Sequence, residues 1–176
     1  IMNSFDNALT YIDKFIYEPN GLVLTSIQEE NQNSDYAAGK FKLNNKMATK
    51  TIRFRVAKIT PTKVGQFVTF WEKDITGTNQ PFQYDDAPEL LVITVFKNEH
   101  DQTFGQFIFP KDILLEKNIL KSSFTKGKMA MRVYPSWDRP TSKLAIQTQN
   151  WQLDYFVEIS NTCSLHTPKT LALYAQ

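Results

Sequence analysis

The stretch TIRFRVAKITPTKVGQFVTFWEK, residues Thr51–Lys73, decides the expected fold and is the densest run of basic and aromatic residues in the chain. In its first half, Ile52 and Phe54 alternate with Arg53 and Arg55. Alternate side chains of a β-strand point to opposite faces, so this half predicts a strand with one apolar and one arginine-bearing face. Two like charges side by side need an anion, a carboxylate pair or open water between them.

The second half of the stretch favours a helix over Thr60–Trp71. A Thr-Pro pair at residues 60 and 61 is typical of a helix start. Four apolar residues then recur at i, i+3, i+4 and i+7, namely Val64, Phe67, Val68 and Trp71. Gly65 and the β-branched residues argue for a strand instead.

Outside this stretch, the pattern predicts two long helices and several strands. An N-terminal helix lies within residues 1–20, capped by Asn3 or Ser4, and a C-terminal helix runs from Thr141 or Ser142 to about Ile159. Strands are expected at Tyr36–Leu43, Thr51–Ile59, Leu90–Phe96, Phe104–Phe109 and Met129–Tyr134. The expected fold is therefore α+β, a single domain with a mixed or largely antiparallel twisted sheet of about five to seven strands. Both helices pack on that sheet, and residues 161–176 form a tail.

Length and composition fit one cytoplasmic globular domain. The chain has 176 residues, of which 41% are hydrophobic and 22% charged. No apolar run reaches the roughly 18 residues of a membrane span, and no signal-peptide pattern opens the chain, so we expect no membrane insertion. One cysteine, Cys163, excludes an internal disulfide, and with only His100 and His166 it cannot form a Cys/His zinc site. We therefore predict no resident metal cofactor.

Charge is distributed unevenly along the chain. Residues 40–73 hold nine basic residues and one acid, although the whole chain has 20 basic and 18 acidic residues. Such a local excess indicates a surface that faces a polyanion, and a solvated lysine-rich hairpin is the alternative.

The first functional hypothesis is a nucleic-acid-binding module. Its basic hairpin contacts phosphates, and aromatic rings stack on bases. The candidate binding residues are Arg53, Arg55, Lys58, Lys63, Gln66, Arg132, Tyr134 and Trp137.

Two other hypotheses stay open. A metal-dependent nuclease or phosphodiesterase needs acids that hold Mg²⁺ or Mn²⁺ and a nearby lysine, and Asp86, Gln106 and Lys111 form a loose set of this kind. In the third hypothesis, Arg53 and Arg55 clamp a small phosphate or nucleotide, as in a sensor.

Five segments resemble the MepB-like family of bacterial proteins. They are YAAGKFKL (36–43), IRFRVAKITPTKVGQFVTFW (52–71), FGQFIFPK (104–111), KMAMRVYPSWD (128–138) and QTQNWQLDYF (147–156). The resemblance covers most of the chain from about residue 29 onward. It implies a cytosolic bacterial protein, some relatives being encoded beside a multidrug efflux pump and its repressor in staphylococci. A sensor would accordingly be linked to drug-resistance regulation. The resemblance implies no catalytic residue.

Overall fold

A six-stranded mixed sheet forms the centre of the computed structural model, which describes residues 4–99, 102–160 and 168–176. His100, Cys163 and His166 lie outside the described residues. The helices are α1 (Phe5–Ile12), α2 (Lys111–Glu116), α3 (Lys143–Gln152) and α4 (Pro168–Tyr174). The strands are β1 (Val23–Glu29), β2 (Gly39–Asn44), β3 (Thr49–Val56), β4 (Lys58–Ile59), β5 (Gln66–Thr69), β6 (Trp71–Lys73), β7 (Asn79–Pro81), β8 (Leu90–Phe96), β9 (Thr103–Pro110), β10 (Ala130–Val133) and β11 (Phe156–Ser160).

The large sheet has the strand order β1-β2-β3-β8-β9-β11. Only the β3–β8 pair is parallel, because the chain leaves β3 to form β4–β7 before it returns as β8. A three-stranded sheet, β10-β5-β4, and the β6–β7 hairpin are built within and after this excursion. The predicted α+β, single-domain fold with a mixed sheet is confirmed.

Two apolar cores lie on opposite faces of the large sheet. The first packs α1 and α4 against the side chains that include Ile52 and Phe54. The second contains Val68 and Phe70 together with the opposite face of β8 and β9. The alternation predicted for β3 is confirmed, and both of its faces are buried.

The N-terminal helix begins as predicted and continues irregularly. Ser4 caps α1, since its Oγ accepts a hydrogen bond from the backbone N–H of Asn7 at 3.2 Å. A π-helical turn, Asp13–Tyr17, and a 3₁₀ turn, Glu18–Asn20, extend the helix to Gly21, which is left-handed with φ +70°. The helix therefore lies within residues 1–20, as expected.

The helix favoured for Thr60–Trp71 is wrong. Residues 60–65 form a loop that ends at Gly65 with φ +83°, a conformation that does not continue a helix. From Gln66 onward, buried and half-buried residues alternate as in a strand. The buried Gln66 donates a hydrogen bond from Nε2 to the carbonyl of Phe96 at 2.9 Å, so this residue faces the interior instead of solvent.

The C-terminal helix is shorter than predicted. Ser142 caps α3 by accepting a hydrogen bond from the N–H of Ala145, but α3 ends at Gln152. A 3₁₀ turn follows, and residues 156–160 form β11. Phe156 and Val157 pair with Phe107 and Gln106 of β9, so tertiary pairing at the sheet edge replaces the last helical turns.

Candidate functional site

Arg53 and Arg55 lie side by side on β3 and share one carboxylate. The Arg53 Nη2 atom is 2.8 Å from Oε2 of Glu30, and the Arg55 Nη1 atom is 2.8 Å from Oε1 of the same residue. The side chain of Arg55 is fully buried and that of Arg53 is 7% exposed. The sequence predicted that both arginines face a phosphate or a nucleic acid. In the structure the carboxylate of Glu30 lies between their like charges instead, so this prediction is corrected. We call this group the Glu30–Arg53–Arg55 cluster.

The remaining donors of the cluster also have protein partners. Arg55 donates to the carbonyls of Phe54 at 2.8 Å and Thr69 at 3.2 Å. The guanidinium of Arg53 lies 3.6 Å from the ring centroid of Phe82, close enough for a cation–π interaction. Glu72 approaches Arg53 at 3.5 Å. These contacts explain how two arginines are tolerated in the second core.

Burial and charge act in opposite directions on the cluster. Burial raises the pKa of Glu30, but the hydrogen bonds and positive charges of Arg53 and Arg55 outweigh it, so the pKa lies below the ordinary value. Burial lowers the pKa of the Arg55 guanidinium, and Glu30 opposes that shift. The two arginines therefore favour the ionised carboxylate of Glu30.

A polar cavity of about 220 Å³ opens beside the cluster. Its lining residues are Gln28, Glu29, Glu30, Asn31, Gln32, Lys40, Arg53, Glu72 and Lys73. Three of them are basic and three are acidic, so the cavity offers no excess charge to an anion. This balance does not favour the sensor hypothesis, in which both arginines clamp a phosphate.

The loop that supplies Glu30 is anchored to the small sheets. Glu30 and Ala38 are joined by a backbone hydrogen bond of 2.9 Å at the base of the loop. Asn33 accepts from the Thr69 hydroxyl at 2.6 Å and donates to the Trp71 carbonyl at 2.9 Å. Sequence reasoning assigned this loop only as polar, since any of the 18 acids was a possible partner for the arginines.

Lys58 and Arg132 do lie together on a partly exposed surface. They flank Phe67 in the three-stranded sheet, since Phe67 of β5 pairs with Lys58 of β4 and with Arg132 of β10. Tyr36 packs on Phe67 at 6.3 Å between ring centroids, and the Lys58 Nζ atom lies 5.0 Å from the Tyr36 ring. All four residues are half-buried. We call them the cationic–aromatic platform.

Arg132 is held in a fixed position on this platform. Its guanidinium donates to the carbonyls of Val64 and Gly65 at 3.3 Å and to the Thr60 hydroxyl at 2.7 Å. These bonds use three of its five N–H donors. Within residues 4–99, 102–160 and 168–176, no carboxylate pairs with Arg132 or Lys58.

The other predicted binding residues are dispersed. Gln66 is buried, and Lys63 is exposed in the loop that precedes β5. Tyr134 covers Gly65, and Trp137 packs edge-on against Phe156 at 5.8 Å. Trp137 therefore contributes to the second core. The sequence did not indicate Phe67 and Tyr36 as candidate residues. Phe67 was assigned to a helix, whereas in the structure it lies on β5 between Lys58 and Arg132.

The proposed nuclease set is not brought together. Gln106 is fully buried in the middle of β9, where it bonds to Thr94 and Tyr174. Lys111 follows the end of the same strand, roughly 16 Å further along an extended chain. It lies over the ring of Tyr84 at 4.5 Å. Asp86 is exposed in the preceding turn. These three residues do not form one metal site.

Two further absences apply to the described parts of the chain. No group of three or more His, Cys, Asp and Glu side chains there is arranged to hold a metal ion. No helix there is long and apolar enough to cross a membrane.

Comparisons with known proteins agree on one family. The model of the MepB-like family matches residues 30–158. A solved structure described as the crystal structure of MepB is 40% identical in sequence and superposes with a TM-score of 0.71. That similarity covers 87% of this chain and 95% of the other. No curated protein matches the chain.

Proposed function

The chain belongs to the MepB-like family, and we propose that it is a nucleic-acid-binding module whose contact surface is the cationic–aromatic platform. The observation that carries this proposal is the row Lys58–Phe67–Arg132 across three neighbouring strands. A half-exposed ring between two cations offers a stacking face for a base and two contacts for the flanking phosphates.

The charge distribution supports the same proposal. Once Glu30 neutralises part of the arginine charge, the excess in residues 40–73 resides mainly on lysines, and Lys42, Lys46 and Lys63 are exposed. A β-sheet surface that bears aromatic side chains between cations suits single-stranded nucleic acid, because its unpaired bases are free to stack on the rings. We therefore expect single-stranded DNA or RNA to bind more tightly than duplex.

Binding is tested with a fluorescent single-stranded oligonucleotide titrated by anisotropy at several salt concentrations. We expect the logarithm of the affinity to fall linearly with the logarithm of salt concentration. Substituting Lys58→Ala removes one phosphate contact and should make the slope shallower by about 0.7. Lys14→Ala is the matched control, because Lys14 also lies over an aromatic ring, Phe15 at 5.3 Å, but on the helical segment that follows α1.

The stacking part is tested by Phe67→Leu, which removes the ring and keeps most of the apolar volume. We expect at least a fivefold loss of affinity with an unchanged salt slope, since stacking contributes about 1–3 kcal/mol per base and involves no phosphate. Equal binding by the Lys58 and Lys14 variants, or absence of salt-dependent binding by the native protein, would overturn the proposal.

A further inference from the structure

A second basic segment presents an almost fully exposed phenylalanine on a hydrogen-bonded turn. Phe124 is 95% exposed. Ser122 and Thr125 close the turn, with a backbone hydrogen bond of 3.1 Å and a hydroxyl–hydroxyl contact of 2.9 Å. The Phe124 N–H donates to Ser122 Oγ at 3.1 Å. We call residues 121–128 the Phe124 turn.

Both ends of the Phe124 turn are anchored to the body of the protein. Lys121 exchanges backbone hydrogen bonds with the segment at Phe82 and Tyr84, and the N–H of Lys128 donates to Ile119 at 2.9 Å. The Thr125 hydroxyl donates to the Leu120 carbonyl at 2.7 Å. The exposed ring is therefore projected from a turn that several hydrogen bonds join to the body of the protein, and folding obtains no burial from it.

The segment that carries the ring is basic in sequence. Residues 117–137 contain five basic residues and no acid. Two carboxylates from outside the segment come close to it, since Glu116 lies 3.8 Å from Lys117, and the hydrogen bonds from Thr76 and Thr78 together with the charge of Lys121 lower the pKa of Asp74. Lys121, Lys126 and Lys128 within the turn are all exposed. An apolar ring flanked by lysines suits a polyanion that also offers flat apolar surfaces, and a nucleic acid is such a molecule.

The Phe124 turn is continuous with the platform. Its last residue, Lys128, lies two residues before β10, and Arg132 is the third residue of that strand. Four residue steps separate Lys128 from Arg132, which places their backbones at most roughly 13 Å apart. This distance is about the span of a few nucleotides, so a single-stranded nucleic acid held at Arg132 would extend to the Phe124 turn.

We propose that Phe124 is a wedge that inserts between neighbouring bases of a nucleic acid held on the cationic–aromatic platform. This inference rests on the proposed function and adds the mode of engagement. An apolar side chain that inserts between two bases unstacks them. The lysines of the Phe124 turn would contact the adjacent phosphates.

The wedge is tested with an oligonucleotide that carries 2-aminopurine, whose fluorescence rises when its base is unstacked. Native protein should raise the fluorescence on binding, and Phe124→Ala should abolish the rise and weaken binding about fivefold or more. The salt slope should stay unchanged, because no phosphate contact is lost. Ile75→Ala is the matched control: Ile75 is equally exposed at the tip of the β6–β7 hairpin, and this variant should behave as native.

The possible failures are distinguishable. If native protein binds no oligonucleotide, the proposed function and the wedge both fail. If native protein binds with the expected salt slope and Phe124→Ala matches it in affinity and fluorescence, only the wedge fails. If Phe124→Ala and Ile75→Ala both lose binding to phosphatidylserine vesicles while oligonucleotide binding is unchanged, the two exposed side chains serve a membrane surface and the wedge is overturned.

Discussion

At the scale of single residues, one glutamate determines how two arginines are tolerated inside the molecule. Glu30 is 6% exposed and receives hydrogen bonds from Arg53 and Arg55. Desolvating three charges is costly, and their mutual attraction offsets that cost only while all three remain. Removing the carboxylate would leave two like charges next to each other in the second core.

We therefore expect Glu30→Gln to destabilise the protein by about 3 kcal/mol or more, the usual cost of breaking a buried ion pair. The measurement is the free energy of unfolding in urea at pH 7. Glu29→Gln is the matched control, since Glu29 is the exposed neighbour in sequence, and its substitution should change the free energy by less than about 0.5 kcal/mol.

The same variant has a pH signature. The pKa of Glu30 in the folded protein lies below its ordinary value, so its contribution to stability is complete above about pH 4.3 and is lost as the pH falls through the folded-state pKa. Native protein should lose more stability than Glu30→Gln between pH 7 and pH 3. Equal losses would show that Glu30 is not held as a carboxylate by the arginines.

At the scale of elements, Gly65 connects the 60–65 loop to β5 and so positions Phe67. Its φ of +83° is unfavourable for any residue with a Cβ atom, and a Cβ there would lie 2.7 Å from the ring of Tyr134 and 2.9 Å from the carbonyl of Val133. The pairing of β5 with β10 therefore depends on a close approach that only glycine permits.

A comparison of two glycine substitutions separates the cost of backbone strain at positive φ from the cost of a steric clash with Tyr134. Gly77 has the same φ of +83°, but no neighbouring atom would lie within 4 Å of a Cβ atom at that position. We expect Gly77→Ala to cost about 1 kcal/mol and Gly65→Ala to cost at least about 1 kcal/mol more, because the second also overpacks. Urea denaturation of both variants measures the difference. Equal costs would mean that Tyr134 moves aside freely.

At the scale of the whole molecule, a buried polar network joins the N-terminal helix, the large sheet and the C-terminal helix. The Tyr174 hydroxyl of α4 donates to Gln106 Oε1 and contacts the Tyr17 hydroxyl at 2.8 Å. Gln106 in turn donates to the Thr94 hydroxyl at 3.0 Å. Burial raises the pKa of Tyr17 and of Tyr174, so both phenols remain neutral donors at physiological pH.

We expect Tyr174→Phe to cost about 1–3 kcal/mol, because it leaves the Gln106 oxygen buried without its donor. The measurement is again the free energy of unfolding. Tyr155→Phe is the control, since the Tyr155 hydroxyl makes no hydrogen bond among the described residues, and this change should be near neutral. A near-neutral Tyr174→Phe would show that the network does not hold α4 in place.

The sequence by itself determined the features that local patterns encode. The alternation of Ile52, Arg53, Phe54 and Arg55 predicted β3 and its two faces, and the continuous apolar run of residues 90–96 predicted the central strand. Capping chemistry located the starts of α1 and α3. These patterns were enough for the fold class.

Tertiary structure decided the rest, because long-range partners select between local alternatives of similar energy. Residues 66–69 became a strand because β10 and β4 pair with them, and residues 156–160 became a strand because β9 pairs with them. Glu30 reached the arginines 23 and 25 residues away through an anchored loop. Because Arg53 and Arg55 are buried with Glu30, the surface that we propose for a polyanion is the platform around Phe67. The sequence shows which charged residues are present, but only tertiary packing determines which of them are neutralised by an ion pair inside the protein.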